Sequence, residues 1–259
     1  MLKPGHDQSA HAVRMEWGPT GATAVAADIA VVIDVLSFTT TVGIAVERGL
    51  SLLPFVWKDE RAAAYADARA AVLAVGRLEG RSLGADRPPA LSLSPAEMSE
   101  ADVSGVERVV LPSPNGSTIS FALASTGARV VAASLRNASA VAEHVAGLMR
   151  DGATCAVIPA GERWPDETLR PCVEDLWGAG AVIAGLVDRG VTGLGPEARV
   201  AERAFRAVRP DLASELAACA GGIELAAAGY ADDVDVAGRL DVSEVVPVLH
   251  RDAFVAQGA

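Results

Sequence analysis

Apolar and polar residues follow one another along this chain in blocks. Four times a β-branched apolar run leads through a short polar loop into a stretch of helical period that ends at a glycine. The first unit is IAVVIDV into FTTTVGIAVERG, closing at Gly49, and the second is VERVVLP into SPNGSTISFALASTG, closing at Gly127. In the third, ARVVAAS leads into LRNASAVAEHVAGLMRDG, with Asn137 placed to cap the helix and Gly152 to end it. The fourth, ATCAVIPA into GERWPDETLRPCVEDLWGAGAVIAGLVDRG, closes at Gly190 and puts Pro171 at the first helical position. Its small-residue stretch Gly178 to Ala181 implies close approach of another element, within the chain or across the interface of a homo-oligomer. Alternation of this kind predicts an α/β protein of three layers, α/β/α, around a largely parallel sheet, built as one layer system or as two similar α/β lobes.

The remaining segments add detail. The runs AHAVRMEW, SLLPFVW and AAVLAVG read as further strands, and Pro54 pushes the second of them toward a sheet edge. Residues 80–105 are rich in Pro, Gly and Ser and read as a long connection. Residues 1–259 are expected to form a single domain, with that connection as the place for a sub-lobe boundary. Residues 196–229 read as helical, and DVDVAGRLDVSEVVPVLHRDAFV as a short acidic and apolar finish.

Composition narrows the function. With 51% hydrophobic residues among 259, a large core can be buried. The longest apolar run, Leu176 to Val187, is too short to cross a bilayer, so no membrane partner is expected. A net charge of −11 disfavours nucleic acid and anionic membrane surfaces and means that an anionic ligand needs a local positive site. The N-terminal residues lack the apolar segment of a secretory signal, and Cys155, Cys172 and Cys219 are scattered without metal-like spacing. A cytoplasmic location is the reading that follows.

In open parallel sheets ligands bind beyond the carboxyl ends of strands, where helix N-termini present unpaired N–H groups. The polar loops fall at that edge. Ser37, Thr39 and Thr40 can donate hydroxyl hydrogen bonds to an anion, and Asn115, Gly116 and Ser117 stand just before a helix. The same residue types also serve as N-caps and turns. Carboxylates gather there too: Asp34 ends the first strand, Glu162 follows IPAG, and Glu174 with Asp175 opens a helix, where acids also simply offset the helix dipole. An acid within a β-branched strand needs a stronger reason, because burying it costs several kcal/mol unless it is paired or bound to a cation. A hard cation such as Mg²⁺, held by Asp34, would meet that need and offset the negative charge where a phosphate binds.

Other chemistries fit less well. The chain has no GxxxxGK[ST] loop and no GxSxG elbow, and His6, His11, His144 and His250 do not suggest a triad. A haloacid-dehalogenase-type site would want a second acid two residues after Asp34, where Leu36 stands. Arg136 and Arg163 are candidates for contacting an anion, and equally for solvated surface.

With VVIDVLSFTTTV, SPNGS, LRNASAVA, IPAGE, CVEDLWGAGAVI and GYADDVDVAGRLDVSEVVPVL in this order, the chain from roughly residue 13 to 250 resembles the 2-phosphosulfolactate phosphatase family. The resemblance implies an α/β/α fold and Mg²⁺-dependent hydrolysis of a small phosphate ester, giving 3-sulfolactate and phosphate on the way to coenzyme M. It implies a site made of Asp34, the Thr39–Thr40 loop, Asn115 to Ser117, Gly161 with Glu162, and Glu174 with Asp175. Asp34, Glu162 and Asp175 are the expected catalytic groups, and Asp34, Glu174 and Asp175 the expected metal ligands. Attack by a water activated by the metal or Glu162, and direct attack by a carboxylate such as Asp34, both remain open. One departure stands out. The family pattern has an arginine and a small residue after DVL, where this chain has Ser37 and Phe38. Losing that charge points to a different small phosphate ester as the alternative substrate, and a non-catalytic anion-binding protein is the rival from outside enzymology.

Overall fold

A computed structural model describes residues 2–56, 60–76 and 90–258. Along the described residues the elements are β1 (Val13–Met15), α1 (Gly18–Ala24), β2 (Ile29–Ile33), α2 (Phe38–Glu47), β3 (Ser51–Phe55), α3 (Glu60–Asp67), β4 (Val72–Leu73), α4 (Pro95–Glu100), β5 (Arg108–Pro112) and α5 (Pro114–Ala124). They continue with β6 (Arg129–Ala133), α6 (Ala138–Met149), β7 (Cys155–Pro159), β8 (Glu162–Arg163), β9 (Leu169–Arg170), α7 (Val173–Asp188) and α8 (Pro196–Val208). The chain then forms α9 (Leu212–Ala218), α10 (Ala220–Ala227), α11 (Ala231–Ala237), β10 (Pro247–His250) and β11 (Ala253–Ala256).

Nine strands form one sheet in the order β1-β7-β2-β6-β10-β11-β3-β5-β4, and β8 with β9 forms a separate hairpin. The large sheet consists of two parallel blocks, β1-β7-β2-β6 and β3-β5-β4. The antiparallel hairpin β10–β11 sits between them, pairing Val248 with Val131 on one side and Phe254 with Leu52 on the other. Three antiparallel steps in succession make the two blocks run in opposite directions.

Side-chain alternation along β2 explains the layers. Ile29, Val31 and Ile33 join Val131, Val157 and residues of α6, α7 and α8 in one apolar cluster. Ala30 and Val32 point the other way, into a cluster with Phe38 and Val42 of α2 and Ile119 and Leu123 of α5. That second cluster also takes in Leu52, Val109, Leu111 and Phe254, so both blocks share the helical layer on this face. A smaller group, Leu53, Phe55 and Val110 with Ala62 and Ala66 of α3, covers the opposite face of the second block. The α/β/α architecture read from the sequence is therefore present.

Several local expectations change. Pro54 lies in an interior strand, since β3 is flanked by β5 and β11. The register pair with β11 is Leu52↔Phe254, two residues before Pro54, which leaves the missing N–H outside that contact. The acidic and apolar finish supplies α11 and the hairpin at the centre of the sheet. Pro171 precedes Cys172, the N-cap of α7, rather than opening the helix. Asn137 is the N-cap of α6, but its side chain accepts from the Ser134 amide and donates to the Val245 carbonyl. Residues 80–89 of the expected connection lie outside the described residues, and its later part forms α4, where Ser94 accepts from the Glu97 amide. The small residues of α7 serve packing within the chain. A Cβ on Gly180 would stand 2.1 Å from the Ala201 carbonyl oxygen of α8, and one on Gly178 would meet Val35 and Ile33 at 2.7 and 2.8 Å.

Phe254 is fully buried and meets Phe38 edge-to-face with ring centroids 6.3 Å apart, so it ties the hairpin to α2. Phe254→Ala is expected to lower unfolding free energy by about 3–5 kcal/mol in urea denaturation. A loss below about 1 kcal/mol would mean that the hairpin does not anchor the sheet.

Candidate active site

The site forms where β2 and β7 end side by side. Their register is parallel from Ile29↔Cys155 to Ile33↔Pro159, and the Ala160 amide donates to the Ile33 carbonyl at 2.7 Å. Asp34 and Gly161 are thereby brought to one edge.

The turn from β2 to α2 absorbs most of the hydroxyls in its sequence. Thr39 Oγ1 donates to the Asp34 carbonyl at 2.9 Å and accepts from the Asp34 amide at 2.8 Å. Thr40 Oγ1 donates to the Val35 carbonyl at 2.7 Å, and Thr41 Oγ1 to the Leu93 carbonyl at 2.8 Å. All three threonines are fully buried, so their hydroxyls shape the turn and do not reach a cleft. The Leu36–Ser37 peptide bond in this turn is cis. Asp34 Oδ1 accepts from the Phe38 amide at 3.0 Å, which fixes the carboxylate at the N-terminus of α2.

Asp175 faces it from the first turn of α7. Its Oδ1 accepts from the Val35 amide at 2.8 Å and its Oδ2 from the Gly161 amide at 2.9 Å. One carboxylate thus joins three segments. Gly161 has φ +66°, and a Cβ there would lie 2.8 Å from the Arg170 carbonyl oxygen, so glycine is required both for the turn and for the approach of β9. Burial raises the Asp175 carboxyl well above its ordinary range, and the charges of Asp34 and Glu174 raise it further, while its two amide donors act the other way.

Glu174 completes the group. It is 4% exposed, and its Oε2 is buried with no hydrogen-bond partner among the described residues. Its Oε1 lies against Gly221 of α10, where a Cβ would come within 2.4 Å. Two cysteines flank it. Burial pushes the Cys219 thiol up to about 11, helped by Glu174, and burial with Asp175 and Glu174 raises Cys172 as well. Both are neutral thiols at physiological pH, which removes them as nucleophiles.

These groups open on a cavity of about 160 Å³. Of the residues expected at a site, Asp34, Ser37, Asn115, Gly161, Glu162, Glu174 and Asp175 line it. Asn115 Nδ2 donates to Glu162 Oε1 at 2.9 Å across the mouth. Thr39, Thr40, Gly116 and Ser117 are not brought to the cavity surface. Gly116 is explained by packing, since a Cβ would stand 2.1 Å from the Phe38 ring, and Ser117 is fully buried. Neither cation singled out from the sequence lines this cavity. Arg163 pairs with Glu167 at 3.2 Å, and Arg136 with Glu47 at 3.6 Å. Ser113, Arg170 and Glu224 do line it and were not foreseen. Ser113 sits one residue before the SPNGS helix start and was within reach of the motif. Arg170 and Glu224 carry no local signal, because only the folding of β8–β9 and α10 brings them there.

A family model described as 2-phosphosulpholactate phosphatase matches residues 20–252. The chain belongs to this family. A probable 2-phosphosulfolactate phosphatase of Deinococcus radiodurans is 33% identical over 233 residues, covering 90% of this chain and 92% of the relative. One from Thermus thermophilus is 33% identical over 226 residues, covering 86% and 88%. The 2-phosphosulfolactate phosphatase family makes the protein a phosphoric monoester hydrolase by class. Among the described residues no helix is long and apolar enough to cross a membrane.

The acid cluster of this family member predicts a pH effect of definite sign. Asp175 has a raised folded value, so its contribution to stability is fully present below the ordinary 3.8 and is lost as the pH rises through the raised value. Glu174→Gln removes one of the like charges. In metal-free protein at pH 7 it is expected to raise stability by about 1 kcal/mol and to flatten the pH dependence relative to wild type. Urea midpoints measured across pH in the presence of a chelator check this. Identical curves for the two proteins would show that Glu174 exerts no charge on Asp175.

Proposed function

We propose that the protein is a Mg²⁺-dependent phosphatase of a small organic phosphate monoester, with 2-phosphosulfolactate, converted to 3-sulfolactate and phosphate, as the first candidate substrate. Family membership and the names of both relatives support the reaction. The observation that carries the metal requirement is the meeting of Asp34, Glu174 and Asp175, with the Glu174 Oε2 buried and unpartnered. Among the described residues no group of three or more His, Cys, Asp or Glu side chains is placed to hold a metal ion. Two carboxylates suffice for Mg²⁺, which takes one or two and fills its remaining positions with water and substrate oxygens. Asp34 and Glu174 would hold it, with Asp175 behind them fixing the strand ends. When bound, Mg²⁺ supplies charge stabilisation to the transferring phosphoryl group.

The protein's own groups do the rest. The floor acids stand at the N-termini of α2 and α7, whose dipoles favour a bound anion. Asn115 holds Glu162 at the cleft mouth, and Glu162, exposed and unburdened by an ion pair among the described residues, accepts the proton of the attacking water. Ser37 lines the cavity without a charge, which is why a different small ester on the same machinery is the second reading. A cytoplasmic setting and a place on the route to coenzyme M belong to the same proposal, the first supported by three free, buried cysteines.

The test is phosphate release from a panel of small phosphate monoesters, 2-phosphosulfolactate included, with and without Mg²⁺. Wild type is expected to require the metal, and Asp34→Asn to lower kcat/KM by about a hundredfold or more. Metal-independent release, or full activity in the variant, would sink the mechanism.

A further inference from the structure

Arg170 ends β9 and stands in register with Glu162 of β8, an arrangement that puts the two side chains on one face of the hairpin. Such neighbours would be expected to pair with each other, yet the Glu162 carboxylate is diverted. Its Oε1 accepts from Asn115 Nδ2 at 2.9 Å and from the Arg163 amide at 2.8 Å. Among the described residues no carboxylate forms an ion pair with Arg170. Its Nη1 donates instead to Cys172 Sγ at 3.1 Å, and its guanidinium lies over the Trp164 ring, 5.5 Å from the centroid. A thiol and an indole orient the group and leave it without a direct ion pair among the described residues.

The setting makes that charge informative. Arg170 is the one cation among the described residues lining the cavity, where Asp34, Glu162, Glu174, Asp175 and Glu224 are the acids. Asp34, Glu174 and Asp175 are at most 9% exposed and form the floor, while Arg170 is half-buried on the hairpin at the mouth. A ligand with its phosphoryl group at the floor would place its other end beside the guanidinium, whose planar fork suits a carboxylate or sulfonate. Ser37 provides no charge for that end.

We propose that Arg170 is a specificity-determining residue that binds a second anionic group, carboxylate or sulfonate, on the leaving-group side of the phosphate ester. This inference rests on the phosphatase reading for its kinetic test but not for its binding test. Arg170→Gln is expected to raise KM about tenfold or more for 2-phosphosulfolactate and phosphoglycolate, with kcat little changed. For p-nitrophenyl phosphate, which has no second anion, both constants should stay near wild type, and Arg170→Lys should recover part of the lost affinity. Equal loss on all esters, or none on any, overturns the assignment. Titration calorimetry with sulfoacetate and with malonate removes the dependence on turnover. Wild type is expected to bind at least one of these dianions about tenfold more tightly than Arg170→Gln, and the preferred one identifies the oxyanion. Arg170-dependent binding in a protein that releases no phosphate would sink the phosphatase reading and keep this one. Binding that is the same in both proteins, or absent in wild type, would sink this one whatever the turnover.

Discussion

The two hydrogen bonds accepted by Asp175 hold the site together. Val35 follows β2, Gly161 follows β7, and Asp175 belongs to the first turn of α7, so a single carboxylate decides how two strand ends and a helix meet. Burying a charge there is expensive, and the two amides offset part of that cost. The arrangement positions the site by local hydrogen bonds beside the close packing of Gly178 on Val35 and Ile33. It also explains why Glu174, the neighbouring residue in the same turn, is forced into the cavity beside Asp34.

The resulting electrostatics oppose stability in the isolated chain. Three acids share a small space, one of them with an oxygen that nothing among the described residues satisfies. Sites that are built for a ligand commonly carry such uncompensated groups, and the fold tolerates them because its core lies elsewhere. Here two apolar clusters, one on each face of β2, surround the strand that carries Asp34. Positive charge enters from an independent element, the β8–β9 hairpin, which lets the floor and the mouth of the cleft be tuned separately.

Much of this was legible in the sequence where it depended on local periodicity. The runs at 29–33, 108–112, 129–133 and 155–159 became strands, and the stretches behind them became helices, because alternation and helical spacing report which face is buried. Asp34 was recognisable because an acid within a buried strand demands a partner, whereas Glu174 and Asp175 stand at a helix start, where acids also offset the dipole, and were singled out by the family resemblance. The hydroxyls misled for a physical reason: Thr39 and Thr40 are short enough to bond their own turn, and sequence does not reveal whether a hydroxyl faces a ligand or a carbonyl. Gly116 looked like room for a ligand and proved to be room for Phe38. Arg170 and the β10–β11 hairpin were hidden because their roles arise from elements far apart in the chain, which no local pattern encodes: Arg170 shares a cavity with Asp34 and Glu224, and the hairpin pairs with β6 and β3.

That hairpin has a consequence for how the molecule is made. The strands in the middle of the sheet come later in the chain than every strand they separate. During vectorial synthesis β6 and β3 therefore keep one edge unpaired until residues 247–256 arrive. Exposed parallel strands of this kind are natural templates for pairing with another nascent chain. The hairpin accordingly acts as a keystone in time as well as in space. Its arrival joins two sticky half-sheets into one nine-stranded sheet, and β6, which pairs with the strand leading to Asp34, gains its second neighbour only as the ribosome finishes that segment.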